Sequence, residues 1–259
     1  MPELPDVEGF RTVLAEHGTG CRVQKVTVAD AGVLHNVSAR RLDRSLRGRR
    51  FGEPRRHGKW LIAPTDGPVV LMHFGMTGGL LWAGDGEPRH RHDRVVFTMR
   101  GGELRFRDMR KLQGIKLADN LEDVGRALAG LGPDALDIGR AEFGRVLGGG
   151  RRGVKSALID QSVVAGLGNL LADEILWRAR VCPRRPAGQL EPGDRARIHS
   201  AMRRVLKASI PAGQVPPRRG WLTRVRNEGG AKCPRCGTAL AHGRVAGRGT
   251  TWCPRCQAC

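Results

Sequence analysis

No stretch of this 259-residue chain stays apolar long enough to span a bilayer, which excludes a helical membrane protein. A secretory signal is missing too: the opening MPELPDVEGF is acidic and amphipathic where a signal would be basic and then apolar, so the cytoplasm is the expected location. Internal repeats are absent, and the only low-complexity tract is the GGGRRG loop at 148–153. Acidic side chains are scarce, 25 against 45 Lys and Arg, for a formal charge of +20. The deficit is uneven. From residue 140 onward 23 basic side chains face 7 acidic ones, whereas residues 1–139 hold 22 and 18. The footprint of a polyanion partner therefore lies in the C-terminal half. Arg outnumbers Lys, which suits bidentate phosphate contacts and equally reflects a GC-rich genome. Hydrophobic residues make up 40%, enough for globular cores and too many for a disordered chain. The length accommodates two domains or one large one.

Cysteine is used in a pattern. Cys233-x-x-Cys236 and Cys253-x-x-Cys256 are two CxxC knuckles sixteen residues apart, which suits one tetrahedral, structural zinc ion on a β-hairpin. Disulfides are not expected in a cytosolic setting, and Cys21, Cys182 and Cys259 stand apart. Cys259 is close enough in sequence to compete as a ligand, although a fifth thiolate is not needed.

The hydrophobic period divides the chain. Pro5 and the acidic residues around it suit the first turn of a helix over 5–17. Short alternating or β-branched segments follow at 21–28, 59–63, 69–74, 80–82, 94–99, 103–107 and 114–117, separated by Gly, Pro and Asp turns, and predict a β-sandwich or barrel. In VVFTMRGGELRFRDM, Gly101-Gly102 is the expected hairpin turn. The period then becomes helical at 122–129, 140–147, 155–161, 169–179 and 193–209. GPDAL marks a join near 118–135. In DQSVVAGLGNLLADEILW a turn carries Gly166 and Gly168, and Asn169 is placed to cap the next helix; exposed N–H groups there would seat a phosphate. An ordinary helix–turn–helix corner without a ligand has the same pattern.

Together MPELPDVE, RRHGKWL, HFGMTGGL, RHDRVVF, RFRDMRKLQG, GVKSALIDQSVVAGLGNLLADEILW and GRGTTWCPRC resemble the formamidopyrimidine-DNA glycosylase and endonuclease VIII family of base-excision repair enzymes, in the family's order and over nearly the whole length. The resemblance implies an α+β multidomain protein: an N-terminal helix with a β-sandwich (1–118), a hinge (119–135), a helical helix-two-turn-helix domain (136–225) and a zinc-finger hairpin (226–259). It implies a monomer without a membrane partner, associated with a bacterial nucleoid, that binds double-stranded DNA containing a damaged base or an abasic site in a basic cleft and flips the damaged nucleotide out.

By the same resemblance Met1 is removed and Pro2 becomes the nucleophile, Glu3 the general acid/base, Lys59 the residue that protonates the opening sugar, and Arg248 the phosphate grip that assists the second elimination. His92, Arg110, Arg151 or Arg152, Lys155 and Asn169 match positions that hold phosphates or the lesion strand. Met76, Arg110 and Leu112 match the wedge that fills the gap left by the flipped base. Taken singly, Lys59 reads as a snorkelling strand lysine, His92 as a structural histidine and Arg248 as one solvated guanidinium among many.

Several positions depart from the family pattern: Leu112 stands where many relatives carry Phe, Asp6 replaces the commoner Glu, Met109 replaces a frequent Pro, and the stretch 209–233 is short. They bear on which lesion is taken, an oxidised pyrimidine, a ring-opened purine or an unusual adduct. Two other readings compete with the enzyme. A catalytically weak damage-binding protein has no need to retain Pro2, Glu3, Lys59 and Arg248 together. A zinc-ribbon transcription or ribosomal factor leaves the N-terminus unexplained.

Overall fold

Alternation of apolar residues through residue 118 builds two antiparallel sheets. The computed structural model describes all 259 residues, which divide into two units: Met1–Pro2 with Asp6–Ala129, and Glu3–Pro5 with Gly130–Cys259. In chain order the elements are α1 (Leu4–Gly18), β1 (Lys25–Val28), α2 (Ala39–Leu46), β2 (Arg55–His57), β3 (Trp60–Pro64), β4 (Val69–His73), β5 (Gly79–Gly84), β6 (Asp93–Met99), β7 (Gly102–Arg107), β8 (Ile115–Ala118) and α3 (Leu121–Leu128). There follow α4 (Arg140–Leu147), α5 (Val154–Ile159), α6 (Asn169–Ala179), α7 (Pro192–Ser209), α8 (Leu222–Val225), β9 (Ala241–Val245) and β10 (Arg248–Trp252). The class is α+β, with no helix long and apolar enough to cross a membrane.

In the first unit the sheets have the orders β1-β6-β7-β5 and β2-β3-β4-β8. Their inward residues, among them Leu61, Val70, Met72, Val95, Phe97, Leu104 and Phe106, form one core with Val7 and Leu14 of α1. The hairpin turn expected at Gly101-Gly102 lies one residue earlier. Met99 pairs with Gly102, so Arg100 and Gly101 make the turn, with Gly101 at φ 85°. Gly102 belongs to β7, where a Cβ would meet the Ala83 carbonyl oxygen at 2.3 Å.

Helix α2 was not expected. Only Leu42 and Leu46 of ARRLDRSL are buried, one turn apart, and the Ser38 hydroxyl caps it by accepting the Arg41 N–H. Beside it Asn36 imitates a strand residue: its amide donates to Leu117 O at 2.8 Å and accepts the Leu117 N–H at 2.9 Å. One edge of β8 is thereby satisfied without a neighbouring strand.

In the second unit a helical core runs through Phe143, Leu147, Leu158, Leu171, Ile175, Ile198, Met202 and Leu206. A smaller cluster of Trp177, Leu222, Ala231, Cys233, Leu240 and Cys253 lies with the β9–β10 hairpin. The expected absence of disulfides does not hold: Cys182 and Cys259 are joined, their Cα atoms 5.2 Å apart. The cause is local docking of the chain end. Buried Gln257 accepts the Cys253 N–H and donates to Val181 O at 2.9 Å, which carries Cys259 to Cys182. Cys259 is thus bonded elsewhere and is not a fifth metal ligand.

Candidate active site and nucleic-acid interface

Glu3 is 1% exposed. Its Oε1 accepts the Leu170 N–H at 2.8 Å, and its Oε2 accepts those of Gly168 at 3.0 Å and Leu171 at 3.1 Å. Helix N-termini leave their first N–H groups without partners and carry partial positive charge, an arrangement that suits a carboxylate anion. The expected Asn169 cap and open phosphate seat at these N–H groups are therefore corrected. Gly168 is the N-cap, Asn169 is already the first helical residue, and Glu3, distant in sequence, takes the donors. The two glycines of the turn make this possible. A Cβ on Gly168 would lie 2.3 Å from Glu3 Cδ, and one on Gly166, at φ 108°, would lie 2.7 Å from Leu4 Cδ1. Leu4 is anchored there by its N–H to Gly166 O at 3.0 Å. Pro2, directly before Glu3, is buried.

Asn169, released from capping, donates to Gly249 O at 3.0 Å, next to exposed Arg248 at the start of β10. Lys155 meets the same carbonyl at 3.1 Å. Direct contact of Lys155 with DNA was the expectation, but its side chain is 0% exposed and ion-paired to Asp173 at 2.6 Å. Burial lowers the Lys155 ammonium's pKa from its ordinary value, against the opposing pull of Asp173. Arg151 is exposed. Arg152, also exposed, is paired with Asp160 in the loop around α5. The structure thus brings Glu3, Asn169, Lys155 and the backbone beside Arg248 to α6 and its neighbours, and leaves Arg151 and Arg152 on a separate loop.

In the first unit Lys59, expected on a strand, lies in the two-residue turn it forms with Gly58 between β2 and β3. Gly58 has φ 57°, which explains the glycine. Trp60, the next residue, pairs with His73 across β3 and β4, their rings 4.9 Å apart. Burial pushes the His73 imidazole down to about 4, and the charges of Lys59 and Lys116 add to the shift. His73 Nδ1 accepts the Gly75 N–H at 3.1 Å, so the neutral ring carries its proton on Nε2. Sequence reasoning passed over His73, although a histidine just before the Gly-rich turn of HFGMTGGL was the available signal.

Met76 and Arg110 are brought together, with Arg110 Nη1 3.2 Å from Met76 Sδ. The residue that organises their loops is buried Asp108, also passed over. It accepts the Thr77 hydroxyl at 2.5 Å and the N–H groups of Arg110 and Lys111 at 3.2 and 3.0 Å. This holds Leu112 and Met109 on an outward turn, about half exposed. Arg94 links His92 to the same loop: it donates to Asp108 O at 2.7 Å and to His92 Nδ1 at 3.0 Å. The His92 pKa is lowered, by desolvation first and by the charges of Arg91 and Arg94 next.

The sulfurs of Cys233, Cys236, Cys253 and Cys256 lie within 4.8 Å of one another. Trp177 Nε1 donates to Cys233 Sγ and the Cys256 N–H to Cys253 Sγ, each at 3.3 Å. Burial pushes the Cys253 thiol above its ordinary pKa. Four thiolates so close need a cation between them, and a tetrahedral zinc ion meets that need.

An antiparallel sandwich, a helical unit with a glycine corner and a four-cysteine hairpin define the class of zinc-hairpin, helix-two-turn-helix proteins. Residues 1–115 match the family model of the formamidopyrimidine-DNA glycosylase N-terminal domain, residues 130–217 that of the formamidopyrimidine-DNA glycosylase H2TH domain, and residues 230–258 the zinc finger found in FPG and IleRS. Curated relatives include the formamidopyrimidine-DNA glycosylases of Symbiobacterium thermophilum and Acidothermus cellulolyticus. The first is 35% identical, covering 99% of this chain and 89% of the relative; the second is 36% identical, covering 99% and 97%. Among solved structures, Lactococcus lactis Fpg bound to abasic-site DNA superposes with a TM-score of 0.89 at 28% identity, covering 99% of this chain and 100% of that one. The chain belongs to the formamidopyrimidine-DNA glycosylase family. Its four-cysteine hairpin binds one structural zinc ion.

Proposed function

We propose that the chain is a DNA glycosylase with AP lyase activity that acts on double-stranded DNA containing a damaged base or an abasic site. The observation that carries the mechanism is the Glu3 carboxylate, buried and held by three backbone N–H groups, directly beside Pro2. Cleavage of the Met1–Pro2 bond gives Pro2 a secondary amine with an ordinary pKa of about 8, so a neutral fraction is present at physiological pH. The amine nitrogen attacks C1′ of the flipped nucleotide as the bond from C1′ to the base breaks. Loss of the amine proton and opening of the C1′–O4′ bond, with a proton to O4′, leave a positively charged iminium. Lys59 supplies the proton to O4′ and Glu3 is the carrier for the others. The iminium then accepts the electrons of the C2′–H bond, and the 3′-phosphate departs by β-elimination. A second elimination, assisted by Arg248, releases the 5′-phosphate.

In the same reading Met76, Arg110 and Leu112 fill the duplex, and His92, Arg151 or Arg152 and Asn169 hold the lesion strand. The alternative of a catalytically weak damage-binding protein is not favoured, because binding alone has no use for a proton carrier secured beside Pro2. Borohydride added to the protein and abasic-site DNA should trap a covalent complex that Pro2→Gly abolishes. Absence of the complex with folded, Met1-free protein would sink the proposal.

A further inference from the structure

Buried charges are costly unless every one finds partners, and the second unit gathers three of them. The Lys155 ammonium has three N–H groups to place. The ammonium is ion-paired to Asp173 Oδ1 at 2.6 Å and donates to Thr250 Oγ1 at 2.8 Å and Gly249 O at 3.1 Å. The other Asp173 oxygen accepts from Arg226 Nη2 at 2.5 Å, and that nitrogen also lies 3.4 Å from Gly249 O. Asn169 completes the set at the same carbonyl. One backbone oxygen thus receives donors from α5, from α6 and from the residue after α8. Thr250 carries the link one step further, because its hydroxyl donates to Arg248 O at 3.0 Å. Both carbonyls that follow the Arg248 Cα are therefore held, while the Arg248 side chain is exposed.

The other side of Arg248 is a tight turn. Val245 pairs with Arg248, and the two residues between them, Ala246 and Gly247, have φ 49° and 71°. That is the pattern of a two-residue hairpin turn with both central residues at positive φ. Nothing in such a turn fixes the hairpin tip against the helices. The clamp on Gly249 does.

We infer that Asp173, Lys155 and Arg226 are positioning residues that aim Arg248 by fixing the carbonyls of Arg248 and Gly249. The inference rests on the proposed role of Arg248 as a phosphate grip. On this view Lys155 serves DNA binding through the protein backbone, since its ammonium is fully buried and engaged by Asp173, Thr250 and the Gly249 carbonyl. Arg226 is the residue to test, because its removal leaves Asp173 and Lys155 as a neutral pair.

The measurement is the affinity of the zinc-loaded, full-length protein for a duplex carrying an uncleavable abasic analogue, read by fluorescence anisotropy for Arg226→Met, Arg248→Ala and the double variant. Arg248→Ala should weaken binding about tenfold, the loss of one charge-assisted phosphate bond. Arg226→Met should weaken it comparably, the double variant should fall no further than Arg248→Ala alone, and Arg226→Lys should recover part of the loss. Losses that multiply in the double variant would mean that Arg226 acts on its own, and wild-type binding by Arg226→Met would remove its role; either overturns the inference while the reading of Arg248 stands. Wild-type binding by Arg248→Ala would overturn both. If Arg226→Met loses zinc or its cooperative melt, Thr250→Val runs the same cycle, since it keeps the side-chain shape and removes only the hydroxyl that links Lys155 to Arg248 O.

Discussion

Gly168 shows how much a single hydrogen in place of a methyl can control. Its φ of −130° is open to any residue, so the need for glycine is steric: a Cβ would sit 2.3 Å from Glu3 Cδ and 2.4 Å from Oε1. Gly168→Ala must therefore displace the carboxylate from its N–H donors. We expect it to lower single-turnover base excision by roughly 10²–10⁴-fold, the usual contribution of a positioned proton carrier. We also expect a cost of about 1–3 kcal/mol in stability, as for other overpacked sites. Excision kinetics beside a thermal melt check both. Excision at the wild-type rate would show that Glu3 does not need this seat. Asp108 has a comparable role in the first unit, where one buried carboxylate orders the loops of Met76 and Arg110. Neither residue is conspicuous in the sequence, because a carboxylate that organises backbone N–H groups looks like any other until its partners are known.

At the scale of elements, α6 is the common support of the second unit's chemistry. Its N-terminus receives Glu3, its side chain Asp173 anchors the clamp, and its Trp177 donates to the zinc ligand Cys233. The β9–β10 hairpin pairs only with itself, and a two-stranded hairpin is marginal in water. Its cluster of buried side chains is small, so the metal supplies much of its order. Chelation of the zinc should therefore release the hairpin that carries Arg248. DNA affinity should drop at least tenfold, Trp252 fluorescence should change in step with zinc release, and both should return on adding zinc back. Unchanged affinity after complete removal of zinc would mean that helix packing alone orders the hairpin.

For the whole molecule, the charge of +20 predicts binding governed by released counterions. If about four to six phosphates are contacted, affinity for abasic-analogue DNA should fall roughly 10²–10³-fold between about 50 and 200 mM salt. A titration with little salt dependence would exclude the proposed phosphate contacts. The class of protein was legible because its signals are local or patterned: alternation made the strands, three-to-four spacing made α4 and α6, and CxxC spacing named the metal. Helix α2 was missed because only Leu42 and Leu46 mark its buried face. The sequence by itself determined the sandwich, the helical unit, the zinc hairpin and the family. Only the tertiary structure decided that Glu3 rather than Asn169 takes the N–H groups of α6, that Lys155 is buried, that Cys182 meets Cys259, and that Asp173 pairs with both Lys155 and Arg226 beside the Gly249 carbonyl. The physical reason is separation along the chain. Glu3 meets Leu170 across 167 residues and Lys155 meets Thr250 across 95, and no periodicity or spacing rule reaches that far.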